Sequence, residues 1–397
     1  MGFELKPHQK EAVERIKKTY QLILADEMGL GKTATILKAT RDTWVGYAGK
    51  KKILVVCPAS LKKNWQKEIV EWSGWPFKQE LDKIQCGPHI ITNYERLKNF
   101  VEPAEKGLIG TVIFDEAHYL KNPKSQRFYY AERIAARAEK KFLLTGTPMV
   151  SGPCDLAPLL DILGVLPLFG GYEGFYKRYC DPSFNGYGWD YTGASNKEEL
   201  KRKLKPYIIR RTKKEVGIGL PKKSIVDVPM IECKQPYADS LQEIEAQFRT
   251  VNRVKYAPAV KFINDLLEKG ERPVVFLHHR SLMARLKETF KDSVQIYGGQ
   301  SVEDRNDAVE KFQKGEVPVI LCSLQASATG LTLTSSRVAV FMEYLWSPSV
   351  SKQAQDRVHR ISQTRDVTIY NLYCPKSIEE QQGMRSFIKE LDMRGVL

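Results

Sequence analysis

The chain has 397 residues, which is too many for one hydrophobic core and fits two or three domains. It carries 62 Lys and Arg residues against 47 Asp and Glu, a formal net charge of +15. This excess favours a polyanionic partner, although a solvated basic surface fits it equally well. Hydrophobic residues make up 42% of the chain, so intrinsic disorder is excluded as its main state.

Membrane and disulfide-rich proteins are disfavoured by local features. The apolar runs are far shorter than the roughly 18 residues of a membrane span, and the N-terminus lacks the apolar centre of a signal peptide. The seven cysteines are dispersed, with no Cys-x-x-Cys pair, which argues against a disulfide framework and a structural zinc site. We therefore expect a reduced intracellular protein with no membrane partner.

Apolar runs of strand type alternate with stretches of helical period in both halves of the chain. In the first half the predicted strands are residues 21–25, 53–57, 89–92, 112–114 and 142–144. In the second half they are residues 273–277, 294–297, 317–322, 338–341 and 367–372. Continuous apolar runs are typical of parallel strands that are buried on both faces, so two such sets predict two α/β domains.

The middle of the chain has a different composition. Residues 170–193 are rich in Gly, Tyr and Phe, and we interpret their aromatic side chains as the packed core of a helical protrusion. Residues 197–223 contain eleven Lys or Arg against three Glu. This basic stretch fits either a solvated linker or a segment that contacts nucleic acid.

The strongest local pattern is D-E-M-G-L-G-K-T at residues 26–33, between an apolar strand and a helical stretch. A strand, a glycine loop and a helix in this order point backbone N–H groups and a helix N-terminus at phosphates. Lys32 would reach the β- and γ-phosphates, and Thr33 would hold Mg²⁺. Because Asp26 stands where the strict pattern has its first glycine, this string alone is weak.

Two further groups of residues indicate ATP chemistry. Asp115 and Glu116 follow an apolar strand, where one acid can hold Mg²⁺ and the other can orient the attacking water. Arg357 and Arg360 are three residues apart and would share one face of a helix. Their guanidinium groups can stabilise charge on a transferring phosphoryl group, although a salt-bridged surface helix has the same pattern.

Taken in order, these motifs resemble superfamily 2 helicase-type ATPases and, within them, the Swi/Snf branch. The resemblance covers residues 3 to 380 and rests on K-P-H-Q at 6–9, D-E-M-G-L-G-K-T at 26–33, D-E-A-H at 115–118, L-L-T-G-T-P at 143–148, I-R-R-T-K-K-E-V at 209–216, L-P-K-K at 220–223 and Q-D-R-V-H-R-I-S-Q at 355–363. It implies two RecA-like lobes that bind ATP and Mg²⁺. Such a protein moves along double-stranded DNA without necessarily unwinding it.

The resemblance also implies roles at the nucleotide. Gln9 would lie near the adenine, and the phosphates would be surrounded by Gly29, Gly31, Lys32 and Thr33. Thr33 and Asp115 would hold Mg²⁺, and Glu116 would orient the hydrolytic water. Arg357 and Arg360 would be arginine fingers that complete the site when the lobes close. The γ-phosphate site would be coupled to the lobe interface by Thr145, Gly146 and Thr147.

Backbone contacts with DNA are implied at a second set of positions. In the first lobe and the basic stretch these are Ser60, Leu61, Lys62, Asn64, Trp65, Asn93, Tyr94, Arg210 and Arg211. In the second lobe they are His279, Arg280, Gly298, Gly299, Thr329 and Gly330. Contacts to the backbone predict weak dependence on DNA sequence and strong dependence on salt.

The chain also departs from the family pattern. Ser327 and Ala328 stand where the family usually has two glycines, and Ser362 replaces another. With Thr332, this variant looks more like the annealing-helicase branch than the nucleosome remodellers. We expect a minimal monomeric motor for double-stranded or branched DNA in repair or replication, helped by accessory proteins. It would work in the cytoplasm of a bacterium or virus-infected cell, or in a eukaryotic nucleus.

The predicted organisation has four parts. A first RecA-like lobe covers residues 1–148, a helical protrusion of that lobe 149–205, a basic linker 206–232 and a second RecA-like lobe 233–397. Two other functions stay open at this point. One is a strand-separating helicase, for which residues 170–193 are the candidate wedge. The other is a non-catalytic DNA-binding subunit, although a set of intact catalytic residues would then have no purpose.

Overall fold

The computed structural model describes residues 4–46, 51–73, 77–79, 84–184, 186, 188–217, 219–236, 240–324, 331–343, 348–360, 362–381 and 383–384. These residues form two compact units, one within residues 4–217 and the other within residues 219–384. Each unit contains a largely parallel sheet flanked by helices, which confirms the predicted α/β class with two RecA-like lobes.

The first unit has an eight-stranded sheet in the order β10-β1-β7-β6-β2-β5-β4-β3. Its strands are β1 (Gln21–Leu24), β2 (Lys52–Cys57), β3 (Phe77–Gln79), β4 (Ile84–Cys86), β5 (His89–Asn93), β6 (Ile109–Asp115), β7 (Lys140–Leu144) and β10 (Ile208–Ile209). Its helices are α1 (Pro7–Lys17), α2 (Lys32–Gly46), α3 (Lys62–Ser73), α4 (Val101–Glu105), α5 (Gln126–Arg137), α6 (Leu156–Leu163), α7 (Gly171–Tyr179) and α8 (Lys197–Leu204). The strands from β10 to β5 are parallel neighbours, whereas β3 and β4 pair in antiparallel fashion.

Both faces of this sheet are covered, which explains the continuous apolar runs. Along β6, Val112 and Phe114 belong to one buried cluster while Ile113 between them belongs to the other. This alternation follows from the pleat of a strand, which sends neighbouring side chains to opposite faces. Each of the five strands predicted in this half overlaps a strand of the sheet.

Residues 149–205 pack on the first sheet through many apolar side chains. Leu156, Leu160, Phe175 and Leu204 are buried in the cluster that also holds Phe114. The segment ends at β10, whose Ile208 and Ile209 pair with Ile23 and Leu24 of β1. The boundaries of the predicted protrusion stay a prediction.

The aromatic residues of segment 170–193 do not all pack inside, contrary to our interpretation. Phe175 is fully buried, but Phe184 and Trp189 are 62% and 61% exposed. These two residues lie on a small antiparallel hairpin, β8 (Ser183–Phe184) and β9 (Trp189–Asp190), with ring centroids 5.8 Å apart. Their rings contact each other because a two-stranded ribbon has no layer to cover its face.

The second unit has a six-stranded, fully parallel sheet in the order β11-β16-β15-β12-β14-β13 within the described residues. Its strands are β11 (Lys223–Pro229), β12 (Val274–Leu277), β13 (Val294–Ile296), β14 (Ile320–Ser323), β15 (Val338–Phe341) and β16 (Val367–Tyr373). Its described helices are α9 (Leu241–Glu268), α10 (Arg280–Thr289), α11 (Val302–Lys314) and α12 (Pro348–Val358). All five strands predicted in this half overlap strands of the sheet.

The predicted basic linker is divided between the two units. Ile208–Ile209 is an edge strand of the first sheet, whereas Lys223–Pro229 is an edge strand of the second. The backbone N–H and C=O groups of such a strand bond to the neighbouring strand, whereas those of a free linker bond to water. The composition of the segment did not predict these two strands, because the many basic residues around them favour a solvated linker.

A buried ion pair joins α9 to the segment after β16. Lys255 Nζ donates to Glu379 Oε1 and, at 3.4 Å, to the Leu372 carbonyl, and the Cys374 amide donates to Glu379 Oε2 at 3.1 Å. Both charged side chains are fully buried. Burial raises the pKa of Glu379, an effect that Lys255 opposes.

We expect Lys255→Met to destabilise the second unit by about 3–5 kcal/mol, because it leaves an uncompensated buried carboxylate. The double variant Lys255→Met/Glu379→Leu should recover most of this loss. Lys311→Met breaks an exposed pair with Asp307 and should cost far less than Lys255→Met, because solvent screens the pair. Urea unfolding measures the free energy of unfolding of the three variants. Equal losses of stability in Lys255→Met and Lys311→Met would show that the buried pair with Glu379 has no special role.

Candidate functional site

The predicted residues of the first unit follow strands that end at one edge of its sheet. β1, β7, β6, β2 and β5 are consecutive parallel neighbours, so their carboxyl ends meet there. The segments that follow them are residues 25–33, 145–148, 115–118, 58–64 and 93–94. Open α/β sheets bind their ligands at this edge.

The loop after β1 has the shape of a phosphate cradle. Gly29 and Gly31 have φ angles of +86° and +77°, and α2 begins directly afterwards at Lys32. The positive φ angle of Gly31 would strain any other residue, and a Cβ there would lie 2.2 Å from Gln9 Nε2, which would have to move. The N-terminus of α2 is therefore available to an anion. Lys32 Nζ donates to the carbonyl of Asp26 at 2.9 Å, and Thr33 lies in the first turn of α2.

Gln9 supports the glycine loop from α1. Its Nε2 donates to the carbonyls of Leu30 and Gly31 at 3.4 and 3.3 Å, and its Oε1 accepts from the Lys6 amide at 2.8 Å. His8 Nε2 lies 3.1 Å from the Leu30 carbonyl. Gln9 therefore holds the phosphate loop in shape, and its contact with adenine stays a prediction.

Asp115 is the buried acid at the end of β6. Its Oδ2 accepts from Trp65 Nε1 at 2.7 Å and its Oδ1 from the Glu116 amide at 2.9 Å. Burial and the neighbouring Glu116 raise the pKa of Asp115 to about 7, against the lowering effects of Trp65 and Lys32.

Glu116 has a strained backbone beside this acid. Its φ and ψ are 51° and 50°, a left-handed conformation that non-glycine residues seldom adopt. Its Oε2 lies 3.4 Å from His118 Nδ1. Such strain is maintained only where the surroundings enforce it, which is common at catalytic residues.

The segment after β7 closes the site. A side chain at Gly146 would lie 2.5 Å from Met28 Cγ and 3.5 Å from Lys32 Nζ, so this glycine allows the loop to approach the phosphate cradle. Thr145 Oγ1 accepts from the Thr147 amide at 3.1 Å, and both threonines are buried. This proximity fits their expected coupling role, which stays a prediction.

Two side chains predicted to contact DNA point inward instead. Trp65 is fully buried on Asp115, and Tyr94 is 2% exposed, with its hydroxyl donating to the Asp115 carbonyl at 2.7 Å. The prediction was wrong for these side chains because a motif gives the position of a residue but not the direction of its side chain. Both residues orient the buried acid.

Arg210 and Arg211, also predicted to contact DNA, form hydrogen bonds within the first unit, and their contact with DNA stays a prediction. Arg210 Nη1 donates to the Ala25 carbonyl at 3.1 Å. Arg211 binds Asp26 through two hydrogen bonds, from Nε to Oδ1 at 3.0 Å and from Nη2 to Oδ2 at 2.5 Å, and it also donates to the His8 carbonyl. Asp26 is 1% exposed, so this is a buried bidentate pair. The two arginines brace the strand that leads into the phosphate loop.

The other DNA candidates of the first unit remain accessible. Asn64 is exposed and donates to Glu68 at 3.0 Å, whereas Ser60, Leu61 and Lys62 are partly exposed at the start of α3. Asn93 donates to Glu95 at 2.5 Å. Their contact with DNA stays a prediction.

In the second unit, a buried carboxylate organises the predicted residue His279. Glu343 Oε2 accepts from the backbone amides of His278 and His279 at 2.5 and 3.0 Å, and Glu343 Oε1 accepts from Asn252 at 2.7 Å and from the His279 ring. Burial would raise the pKa of Glu343, but these partners, His279 first, lower it to about 2. Glu343 was not among the predicted residues, and nothing in the sequence distinguished it from a surface acid.

Arg280 lies close to two other predicted residues. It donates to the Gly298 carbonyl, its guanidinium lies 5.2 Å from the Tyr297 ring centroid, and Gly299 follows with a φ angle of +92°. Thr329 and Gly330 lie outside the described residues. The structure therefore brings together Arg280, Gly298 and Gly299.

The two predicted arginine fingers do not share a helical face. Arg357 is in the last turn of α12, which ends at Val358, so Arg360 lies beyond the helix. Arg357 is only 4% exposed, whereas Arg360 is partly exposed and donates to Thr332 Oγ1 at 3.0 Å. The two arginines would share a face only if one helix carried both, and this condition is not met because α12 ends at Val358.

Gln363 fixes the segment that carries Arg360. Its Nε2 donates to the carbonyls of Ser336, Val358 and Thr334 at 2.7, 3.2 and 3.2 Å, and its Oε1 accepts from two following amides. The motif contained this glutamine, but sequence alone did not indicate that it is buried and structural.

Comparison with known proteins identifies the family. A model of the SNF2-related domain matches residues 8–247, more than half of the chain. The chain belongs to the SNF2-related family. A second model, the helicase conserved C-terminal domain, matches residues 258–362. This SNF2-related chain is an ATP-hydrolysing enzyme of helicase superfamily 2.

Several curated proteins are similar to this SNF2-related chain over most of its length. It is 34% identical to the SWI/SNF-related matrix-associated actin-dependent regulator of chromatin subfamily A-like protein 1 of Xenopus tropicalis, over 94% of this chain and 43% of that protein. It is 31% identical to the human DNA annealing helicase and endonuclease ZRANB3, over 93% of this chain and 38% of that protein. The chain thus spans about two fifths of these relatives.

One solved structure is similar to this chain: the Sulfolobus solfataricus SWI2/SNF2 ATPase core in complex with dsDNA. The two are 22% identical, the match covers 100% of this chain and 97% of that one, and the TM-score is 0.47.

None of the described helices is long and apolar enough to cross a membrane.

The first unit contains the two residues predicted to hold Mg²⁺, Thr33 and Asp115, at the edge of the sheet where β1 and β6 end. The described residues contain no group of three or more His, Cys, Asp or Glu side chains that could hold a metal by themselves. Mg²⁺ is usually held by one or two protein oxygens together with substrate phosphates and water. The Thr33 hydroxyl and the Asp115 carboxylate fit this donor set.

Asp115 gives the site a pH dependence. Because its pKa is raised to about 7, the neutral acid prevails below that pH, and only the carboxylate can hold Mg²⁺. The affinity for Mg²⁺-nucleotide should therefore rise with pH and level off above about 7. Trp65→Phe removes a donor that lowers this pKa and should move the midpoint to higher pH.

Nucleotide affinity measured from pH 5.5 to 8.5 checks this shift. Protonation of the nucleotide itself also changes with pH, but it affects all variants equally. Tyr94→Phe is the matched control, because the Tyr94 hydroxyl bonds the Asp115 carbonyl and not its carboxyl group. Equal midpoints in wild type and Trp65→Phe would contradict the assignment.

The Asp26–Arg211 pair should control the phosphate loop. Arg211→Ala leaves a buried carboxylate unpaired, so we expect nucleotide affinity to fall by about tenfold or more and the first unit to lose about 3–5 kcal/mol. Asp26→Asn/Arg211→Ala should cost less than the single variant, because the unpaired charge is gone. Fluorescent-nucleotide binding and urea unfolding measure both effects.

Arg178→Ala is the control for this prediction, because it breaks an ion pair with Glu199 in which Arg178 is 56% exposed. Its loss of stability should be far smaller than that of Arg211→Ala, because solvent screens an exposed ion pair. If Arg211→Ala behaves like Arg178→Ala, the pair does not brace the loop.

Proposed function

We propose that the chain is an ATP-dependent motor that moves along double-stranded DNA and remodels DNA structures or protein–DNA complexes. The single observation that carries this proposal is the shared edge of the first sheet, where a glycine cradle, Lys32 and the buried acid Asp115 meet beside accessible candidate DNA contacts. The relatives described as chromatin regulators and annealing helicases support DNA as the substrate. These relatives are longer, so the substrate remains part of the proposal.

The hydrolytic roles follow from the geometry of the first unit. Lys32 and the amides around Gly29 and Gly31 would hold the phosphates, and Thr33 and Asp115 would hold Mg²⁺. When bound, the ion neutralises charge that develops on the phosphates. Glu116, held in its strained conformation next to Asp115, would orient the attacking water.

Arg360 would supply positive charge to the transferring phosphoryl group. It is the more accessible of the two arginines, and its contact with Thr332 is a single hydrogen bond that it can exchange for phosphate. Arg357, which is buried, would support its position or contact phosphate after a rearrangement. Arginine fingers contribute about 10³–10⁵ to the rate where they are used.

DNA would be held mainly through its backbone. In the first unit the accessible candidates are Ser60, Lys62, Asn64 and Asn93. In the second unit the candidates are His279, Arg280, Gly298 and Gly299, with Thr329 and Gly330. Glycines let main-chain N–H groups approach phosphates closely, which allows movement along DNA without reading bases.

A second candidate function is strand separation. It is favoured by the exposed pair Phe184 and Trp189 on the β8–β9 hairpin, because aromatic side chains can stack on unpaired bases. A non-catalytic binding subunit has no support, since the chain belongs to an ATP-hydrolysing family.

The proposed function is tested by steady-state ATP hydrolysis at fixed low salt without DNA, with single strands, with linear duplex and with a branched fork. Strong stimulation by duplex is expected, and a further preference for the fork would support the annealing-helicase relationship. Stimulation by single strands alone would favour the strand-separating helicase. No stimulation by any DNA would refute the motor.

Three variants test the assigned roles in the same assay. Lys32→Ala should abolish hydrolysis, and Glu116→Gln should bind ATP without cleaving it. Arg360→Ala should keep nucleotide affinity while turnover falls by about 10³ or more. Lys311→Ala, on the exposed face of α11, is the control that should retain turnover. Normal turnover in Arg360→Ala would remove Arg360 from the mechanism.

A further inference from the structure

A basic cleft with a volume of about 610 Å³ lies in the first unit, between α1, α8 and residues 208–211. Six cationic side chains line it against two carboxylates, those of Glu11 and Glu198. The cations are Arg15, Lys201, Arg202, Lys205, Arg210 and Arg211. Buried apolar side chains of α1, α8 and β10, such as Leu204 and Ile208, complete the lining.

Much of this positive charge is uncompensated. On α8, Lys203 pairs with Glu199 at 3.4 Å, whereas Lys201, Arg202 and Lys205 form no ion pair among the described residues and are exposed. Burial lowers the pKa of Arg15; Glu11 opposes this effect and the charge of Arg211 adds to it. An anion in the cleft would relieve this repulsion.

The arrangement fits several phosphates in a row better than a single ion. Lys201 lies on α8, and Lys205 directly follows its last residue with helical φ and ψ angles of −47° and −39°, so the two side chains project in the same direction about one helical turn apart. Arginines at the base of the cleft present forked donors that suit phosphate oxygens. A nucleic acid backbone supplies phosphates at regular spacing, and the charge of the whole chain has the matching sign.

The base of the cleft is also the brace of the phosphate loop. Arg211 uses Nε, Nη1 and Nη2 for Asp26 and His8, and its Nη1 also lies 3.6 Å from Glu11 Oε2. A guanidinium has five N–H donors, so Arg211 can bind a phosphate without releasing Asp26. A ligand in the cleft would then hold the end of β1 more firmly. It would raise the affinity for nucleotide, and nucleotide would raise the affinity for this ligand by the same factor.

We propose that this cleft binds the phosphodiester backbone of DNA and, through Arg211, links DNA binding to the phosphate loop. The inference rests on the proposed DNA-dependent function. It adds a site that includes Arg15 of α1, Lys201 and Arg202 of α8, and Lys205 directly after α8. The last three lie in the basic stretch 197–223, and none of the four belongs to a motif that carries the family resemblance.

The test compares two triple variants of equal charge. Lys201→Ala/Arg202→Ala/Lys205→Ala removes exposed cations of the cleft and spares the buried Leu200 and Leu204. The control, Lys106→Ala/Arg133→Ala/Lys177→Ala, removes two lysines and one arginine of the same unit that are 63%, 40% and 71% exposed and lie outside the cleft.

Duplex affinity is measured over a series of salt concentrations. For the cleft variant we expect a loss of about tenfold or more at low salt and a salt slope that falls by about two to three, since each lost phosphate contact contributes about 0.9. ATP affinity is measured with and without saturating duplex. Duplex should tighten ATP binding in wild type and in the control, and this effect should shrink in the cleft variant.

Three outcomes would overturn the proposal. The first is a cleft variant that matches wild type while wild-type hydrolysis is stimulated by DNA, which would leave the proposed function intact. The second is an equal loss in both triple variants, which would indicate a general charge effect. The third is a loss of binding to a poly-glutamate peptide with unchanged DNA affinity, which would assign the cleft to an acidic protein segment. A wild type that binds no DNA would refute the proposed function itself.

Discussion

The buried pair between Asp26 and Arg211 is the contact on which the nucleotide site depends. It joins residues 185 positions apart and places β10 next to β1, so the end of β1 is held from both sides. A glycine at position 26 would remove the buried carboxylate that this guanidinium binds. The acid that breaks the strict phosphate-loop pattern is thus explained by a partner in the basic stretch.

Buried carboxylates have the same architectural role in both units. Asp115 at the end of β6 accepts from Trp65 and from the next amide. Glu343, two residues beyond the end of β15, accepts from two amides, Asn252 and His279. In each case an acid at or just beyond the carboxyl end of a parallel strand holds predicted site residues in place. Asp115 binds the amide of Glu116, and Glu343 binds the amides of His278 and His279, which follow the neighbouring strand β12. The difference is electrostatic: the pKa of Asp115 is raised by burial and by Glu116, whereas the donors around Glu343 lower its pKa.

Much of the fold could be predicted because buried parallel strands leave continuous apolar runs. The motif residues around the phosphate loop could also be located, since a glycine loop, Lys32 and a paired acid in this order are typical of a site that binds nucleotide phosphates. The direction of side chains could not be predicted. Trp65 and Arg211 occupy motif positions, yet both point into the unit, and only tertiary contacts determine this. Arg360 was placed on a helix that ends two residues earlier, because helix ends depend on local packing that periodicity does not record.

Movement along DNA is the central claim, and displacement of a third strand from a duplex tests it most directly. A triplex whose third strand lies away from the duplex end should lose that strand when ATP is added to the wild-type protein. Glu116→Gln should leave the triplex intact, because it binds ATP without hydrolysing it. Duplex-stimulated hydrolysis without any third-strand release would contradict the account, since the protein would then hydrolyse ATP without moving along DNA.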